Sequence, residues 1–515
     1  MKMRWLNILF LSAIGLPAFA ADPKAPPSST ETITPGEWLK AQPKPQFREG
    51  HTLPPLSRFS WEMDERVIIE LATDWGYALE FGVINKARFE NALTKPESPE
   101  GKLITLALSD PKRYRLSACS PRIMPTMPSA DVWTRNAEGQ FLNGSAKSLD
   151  GTVWNPKLKT VYSPASPDSY WEEAGQMNAD RIRKLNEKCP IAILLNTGEY
   201  GLGTTGFGQK VWEQDPHIVK AKGDKSWEDY ISERKGHYQG IMSKAEKDAA
   251  PNRLLYVYYT AGGGTDCGVY PTWSKWQYKW ESMKTISDIP NNQAYYLHFN
   301  NGWTGQRNLL TLCLNAAARE ITDGKPLSYN WLSGGWEGEA GHKLSDIDRW
   351  TGFLKCYYTA GMIGGNTGYY QFLGPKGFSK PFHPDKPPHW LLQLTSLAHV
   401  HALFSHSEEF LRNGDLLPGP NKHHYSKNLP AFELPTGDDT LRVLARKHRQ
   451  RAEWLVTAWA ADGDERNARA TIPELGNITV RARPSGSMYH IAKRDGRWAI
   501  TQLDAPPKKV LKPDR

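Results

Sequence analysis

At 515 residues the chain has room for one large domain and a small one. Its five cysteines, Cys119, Cys189, Cys267, Cys313 and Cys356, stand far apart with no Cys-x-x-Cys pair; this excludes a disulfide-dense scaffold and a zinc ribbon, and leaves them as small buried hydrophobes. A net charge of +9 favours anionic partners, acidic or sulfated polysaccharide among them, but speaks to association rather than chemistry.

The chain opens on "MKMRWLNILFLSAIGLPAFAAD". Lys2 and Arg4 precede an apolar run from Trp5 to Leu16 and a small-x-small site, Ala18-Phe19-Ala20, which predicts a signal peptide over 1–20 cut after Ala20. The expected destination is the periplasm or the exterior. The run is short for a bilayer span and no later one approaches the required length, so no membrane span is expected. No cysteine follows the cut, which argues against a lipid anchor. The net charge of +9, less the +2 of Lys2 and Arg4, leaves +7 on the mature chain. Residues 21–56 are proline-rich without a sustained period and predict an extended leader.

From 57 to 415 apolar runs ending in Gly, Asn or acid alternate with long amphipathic segments, the pattern of βα units and a parallel sheet. "RFSWEMD" predicts a strand. The segment "ERVIIELATDWGYALEFGVIN", apolar at Val67, Ile68, Leu71, Trp75 and Leu79, predicts one helix. "RYRLSACSPRIMP" follows as a strand, and then a loop-like insertion from Asp131 to Ser169 carries Trp133 and Trp154. So long a loop in a regular alternation is usually functional. Strands "PIAILLN", "RLLYVYYTAGGG", "QAYYLHFNN", "PLSYNWLSGGWEGE" and "MIGGNTGYYQF" alternate with helices, and "HWLLQLTSLAHVHALFSHSEEFLRNG" closes the series. Counting back from the last strand gives a total of eight, so the predicted fold is α/β, a (β/α)8 TIM barrel over 57–415. A linker over 416–428 leads to six short alternating segments in 429–515, a small antiparallel β-sandwich domain.

In such a barrel the strand C-termini and their loops make the site. Glu199 follows the strand counted as fourth. Glu337 and Glu339 follow the seventh, in "LSGGWEGEAGH", across the barrel mouth. Two carboxyls facing one cleft are what glycoside hydrolysis needs: one held protonated to donate to the leaving oxygen, the other ionised to attack or stabilise the oxocarbenium-like carbon. Glu337, after Trp336 at the end of an apolar run, is favoured as the second acid, with Glu339 as the alternative.

On Asn196 and Glu199 in "LLNTGEYG" and Glu337 in "GGWEGE", the arrangement resembles clan A of the retaining glycoside hydrolases. The resemblance implies a (β/α)8 enzyme with Glu199 as acid/base, Glu337 as nucleophile and Asn196 on the sugar 2-hydroxyl. The clan places Asn directly before the acid, whereas here Thr197 and Gly198 intervene. It also implies a His or aromatic after strand six and an aromatic after strand eight, which His298 and Tyr369 match.

With 20 Trp and 21 Tyr the chain is rich in rings that can stack on sugars. Candidate sugar contacts at strand ends are Arg122, Tyr259, His298, Trp303, Trp331, Trp336 and Tyr369, and Trp133, Trp154, Trp273 and Trp276 stand in loops. "HVHALFSH" puts His399, His401 and His406 in one helix, but His-x-His points to different faces and no metal is expected. The basic "RVLARKHRQR" lies in the sandwich, where a solvated face is expected rather than nucleic-acid binding. The expected function is hydrolysis of a poly- or oligosaccharide, anionic or sulfated polymers included, with no cofactor. The alternatives are a non-catalytic carbohydrate-binding barrel and a polysaccharide lyase.

Overall fold

A computed structural model describes residues 32–43, 65–121, 123–125, 134–139, 162–196, 209–250, 255–259, 284, 286, 288–291, 293–295, 310–311, 313–314, 317–318, 323–324, 328–333, 346–366, 380–420, 429–494 and 496–504. The predicted signal peptide and the strand predicted at "RFSWEMD" lie outside them. The chain divides into two compact units, one of residues 78–294 with 328–331, the other of 1–77, 295–327 and 332–515.

The first unit is built on a parallel sheet. Its strands β1 (Leu79–Val83), β2 (Leu116–Cys119), β3 (Ile191–Asn196), β4 (Leu255–Tyr259) and β5 (Ile289–Asn291) neighbour one another in chain order, and every adjacent pair is parallel. Parallel neighbours need crossovers, and helices supply the first three. Helices α3 (Lys86–Thr94) and α4 (Pro99–Ser109) join β1 to β2, and α5 (Asp168–Lys188) joins β2 to β3. Between β3 and β4 lie α6 (Gln209–Trp212), α7 (Pro216–Lys222) and α8 (Trp227–Asp248). All four residues of β2 and all but Ala192 of β3 are buried, as strands covered on both faces must be.

The single helix predicted over 65–85 is two elements. Helix α2 (Glu65–Trp75) stops at Gly76, whose φ of +72° a β-carbon would disfavour, and the Tyr77 N–H closes back onto the Leu71 carbonyl at 3.2 Å. Leu79, placed on the helical stripe by its spacing, instead starts β1. Among the described residues Ile191–Asn196 is therefore the third strand of its sheet, and its count as fourth requires the strand at "RFSWEMD". Helices α3 and α4 were not predicted.

In the second unit α1 (Pro35–Ala41) opens on a capping box between Thr34 and Glu37. Strands β6 (Gln293–Tyr295) and β7 (Ser328–Ser333) fall mostly in the sequence of the first unit, and helix α9 (Ile347–Thr359) and strand β8 (Met362–Asn366) in that of the second. The predicted last helix is broken, α10 (His389–Ser405) ending before His406 and α11 (Glu408–Asn413) following.

The C-terminal sheet domain holds all six predicted strands, β10 (Leu441–His448), β11 (Glu453–Ala460), β12 (Arg466–Ile472), β13 (Gly476–Ala482), β14 (Ser487–Arg494) and β15 (Arg497–Gln502). It begins earlier than its sequence suggests: β9 (Gly414–Leu416), inside the ranges predicted for barrel and linker, pairs antiparallel with β10. A five-stranded sheet in the order β15-β14-β11-β10-β9 faces the β12-β13 hairpin. Trp454, Val456, Ala458 and Ala460 of β11 join Ala468, Ala470, Ile478 and Val480 of the hairpin in the core between them. Alternation sends Thr457 and Trp459 to the opposite face, and there they meet α9. The Thr457 and Thr359 hydroxyls share a hydrogen bond of 2.6 Å. Arg446 is 4% exposed and donates to the carbonyls of Thr359, Phe410, Leu411 and Gly414, a cation set where helix carbonyls are left over. The sheet is thus covered on both faces.

Candidate active site

All strands of the parallel sheet end at one edge. There the Ser120 N–H, directly after β2, donates to the Leu195 carbonyl at 2.8 Å and ties the ends of β2 and β3 together. Asn196 ends β3 in register with Tyr258 of β4 and is 7% exposed. The segment 197–208, with Glu199, follows outside the described residues.

Buried polar groups fix the chain at this edge. Glu246 of α8, fully buried, accepts a hydrogen bond from Ser120 Oγ at 2.8 Å. Asn178 of α5, also fully buried, reads both backbone groups of Ile123: its Oδ1 accepts from the N–H at 2.7 Å and its Nδ2 donates to the carbonyl at 3.3 Å. Neither residue was predicted. The signal was present for Asn178, which shares the buried stripe of Trp171, Ala174 and Ile182 at helical spacing.

The insertion after β2 returns to the sheet's helices at two places. Arg135 donates its N–H to Asp215 Oδ2 at 2.9 Å, while Asp215 Oδ1 caps α7 through the His217 and Ile218 N–H groups at 2.9 and 3.3 Å. Beyond it Asn136–Gly139 make a turn, Gly139 adopting a φ of +77°. At the second place Trp212 Nε1 donates to the Tyr162 carbonyl at 3.0 Å. The Tyr238 hydroxyl donates to the Pro164 and Ser166 carbonyls at 2.9 and 2.6 Å, and Arg234 Nε reaches Pro164 at 2.8 Å. Tyr238 stacks on Trp171 with centroids 4.7 Å apart. Burial pushes the Tyr238 phenol up to about 12 and the Tyr170 phenol further still, so both stay neutral and neither serves as a base near neutral pH.

The predicted site residues fare unequally. Asn196 ends β3, Tyr259 ends β4 and Trp331 lies within β7. Glu199, Glu337, Glu339, Arg122, His298, Trp303, Trp336 and Tyr369 lie outside the described residues, as do Trp133, Trp154, Trp273 and Trp276. Glu199 falls in the sequence of the first unit, and Glu337 and Glu339 in that of the second. Two of the helix histidines serve packing: His399 stacks on Trp75 at 5.0 Å with Nε2 3.0 Å from the Pro43 carbonyl, and His401 Nδ1 lies 3.0 Å from the Tyr358 hydroxyl. Burial lowers the His399 pKa. Among the described residues no three His, Cys, Asp or Glu side chains are grouped to hold a metal, and no helix is long and apolar enough to cross a membrane. Cys119, Cys189, Cys313 and Cys356 are buried.

No protein-family model matches the chain, and no curated protein matches it. Among solved structures it is similar to an α-amylase from Geobacillus thermoleovorans complexed with acarbose, at 11% identity over 86% of this chain and 95% of that one, with a TM-score of 0.42. It is also similar to a family 36 α-galactosidase from Geobacillus stearothermophilus in complex with raffinose, at 10% identity over 90% of this chain and 58% of that one, TM-score 0.43. A family 42 β-galactosidase from G. stearothermophilus matches at 10% identity over 70% and 58% of the two chains, TM-score 0.40. These neighbours are glycoside hydrolases.

Proposed function

We propose that the chain is a glycoside hydrolase that cleaves a poly- or oligosaccharide with two carboxylates on a (β/α)8 barrel over 57–415, and that its leader, cut after Ala20, exports it. One observation carries the reading: Glu199 stands three residues beyond the carboxyl end of β3, an interior strand of a parallel sheet. In parallel α/β sheets that edge is where ligands bind and catalytic side chains gather. Glu199, protonated, donates to the leaving oxygen. Glu337 attacks the anomeric carbon, with Glu339 as the other candidate. Water then releases the glycosyl group, Glu199 now acting as base, so the anomeric configuration is retained.

The test is product release from a panel of 4-nitrophenyl glycosides and oligosaccharides by the exported protein. Glu199→Gln should lower kcat about a hundredfold or more, and only one of Glu337→Gln and Glu339→Gln should match that loss. Unchanged turnover in Glu199→Gln would sink the assignment. Unsaturated products absorbing in the ultraviolet would point to a lyase instead. Retention, read by proton NMR of the first product, corresponds to carboxyls about 5 to 5.5 Å apart.

A further inference from the structure

We propose that Arg494 and Arg497, side by side at the end of the β14-β15 hairpin, bind a sulfate or carboxylate group of a polysaccharide; the choice of a polysaccharide as its carrier rests on the glycosidase reading above. Residues directly opposite on antiparallel strands share a face, with Cα atoms about 4.5 to 5.5 Å apart. Arg494 and Arg497 are such a pair, and both are exposed. The next pair along is Lys493 and Trp498, with Lys493 exposed and its Nζ 5.9 Å from the Trp498 ring centroid. Asp495, in the turn, lies outside the described residues. Three cations thus stand at one hairpin end, and like charges directly opposite destabilise a sheet.

Other arginines of the sheet domain carry their own acids. Arg449 pairs with Asp415, Arg451 with Glu409, Arg466 with Asp438 and Asp462, and Arg481 with Glu465. Arg469, which has no such acid among the described residues, stands opposite Thr479 rather than a second cation. Among the described residues Lys493, Arg494 and Arg497 have no acid within ion-pair reach. Glu453, on the neighbouring strand β11, is already held by Arg451 Nε at 3.1 Å and His490 Nε2 at 2.9 Å. Guarding the sheet edge against another chain accounts for a cation on β15, the outer strand, but not for Arg494 on interior β14. Two guanidinium forks on one face suit an oxyanion between them, each offering paired N–H donors, and an anion held there relieves their repulsion. A sulfate or carboxylate on a sugar supplies that charge.

The probes are dextran, dextran sulfate, polygalacturonate and duplex DNA, with binding read by calorimetry at low salt. Wild type should bind one of the charged polysaccharides, the tighter arm telling sulfate from carboxylate. Arg494→Gln with Arg497→Gln should weaken that binding roughly fivefold or more. Lys188→Gln with Lys220→Gln, which removes two exposed charges from α5 and α7, should leave it nearly unchanged. Arg497→Gln alone carries the test if the double variant does not fold. Without polymer the arginine variant should melt no lower than wild type, its repulsion gone, and added polymer should raise the melting temperature of wild type more than that of the variant. Equal losses in the two double variants, tightest binding to DNA, or no binding to either charged polysaccharide overturns the proposal. Cleavage of glycosides separates the two readings. A chain that cleaves them and binds no polymer loses this site alone, and one that binds and cleaves none loses the glycosidase reading alone.

Discussion

Lys355 of α9 and Asp504, 149 positions later, form an ion pair inside the second unit, with the two side chains 8% and 2% exposed. Lys355 Nζ also donates to the Gly486 carbonyl at 2.9 Å. The Asp504 carboxylate accepts from the Met488 N–H at 3.0 Å and lies 3.2 Å from Arg483 Nη2. Removing one member strands a buried charge, so Asp504→Ala should cost roughly 3–5 kcal/mol. Replacing both, Lys355→Met with Asp504→Leu, should cost less than the single change. Urea unfolding of the three proteins measures it.

Gly352 lets α9 lie against the sheet. A β-carbon there would overlap the Trp459 ring and the Pro484 carbonyl, to which Trp459 Nε1 donates at 2.9 Å. Gly352→Ala gains helix propensity of about 1 kcal/mol but should lose more to overpacking, about 1–3 kcal/mol or above because backbone must move. A lower melting temperature is expected, and Trp459→Leu in the same chain should recover part of it.

At the tip of the β12-β13 hairpin, Glu474 holds a φ of 65° while its carboxylate pairs with Lys447. The left-handed backbone costs a non-glycine residue roughly 1–2 kcal/mol, and an ion pair with a partner this exposed returns about 0–1 kcal/mol. Glu474→Gly should therefore be neutral or slightly stabilising, and Glu474→Val clearly destabilising. Thermal melts at low salt would show the order.

Hydrogen bonds from Thr440, and then Arg466, hold the Asp438 carboxyl below its ordinary range. A carboxylate whose folded pKa is depressed stabilises the fold above its unfolded pKa and loses that contribution as pH falls through the folded value. Stability should fall on acidification below the ordinary carboxylate range, and Asp438→Asn should flatten that limb. Melts from neutral to strongly acidic pH check the slope.

Strands β12 and β13 were legible because one face of each is wet. Ala468, Ala470 and Ile472 alternate with exposed Asn467, Arg469 and Thr471, and the period of two is unmistakable. Where both faces are covered, the period alone does not separate a strand from a buried helix. Leu79 continues the spacing of Leu71 and Trp75, so only the backbone angle at Gly76 tells helix from strand. The strand before Glu199 was legible from its unbroken apolar run, and the position of Glu199 just past that strand's carboxyl end gives the acid its candidacy. The anchors at Asp215 and Trp212 were not, because their partners are backbone groups up to 80 residues distant, which leave no mark in side-chain pattern.

Arg446 grips carbonyls on helices α9 and α11 and on β9, all of them upstream of residue 421, from a strand that lies downstream of 428. The join between the sheet domain and what precedes it is therefore a weld rather than a hinge. A protease that cut the chain within 421–428 would nick it and release nothing, the two fragments co-eluting until denatured. By the same logic the sheet is no cassette: a recombination event that transferred 429–515 alone would carry the guanidinium away from the four carbonyls that receive it. Inheritance of the pair as one block is the expected trace in sequence.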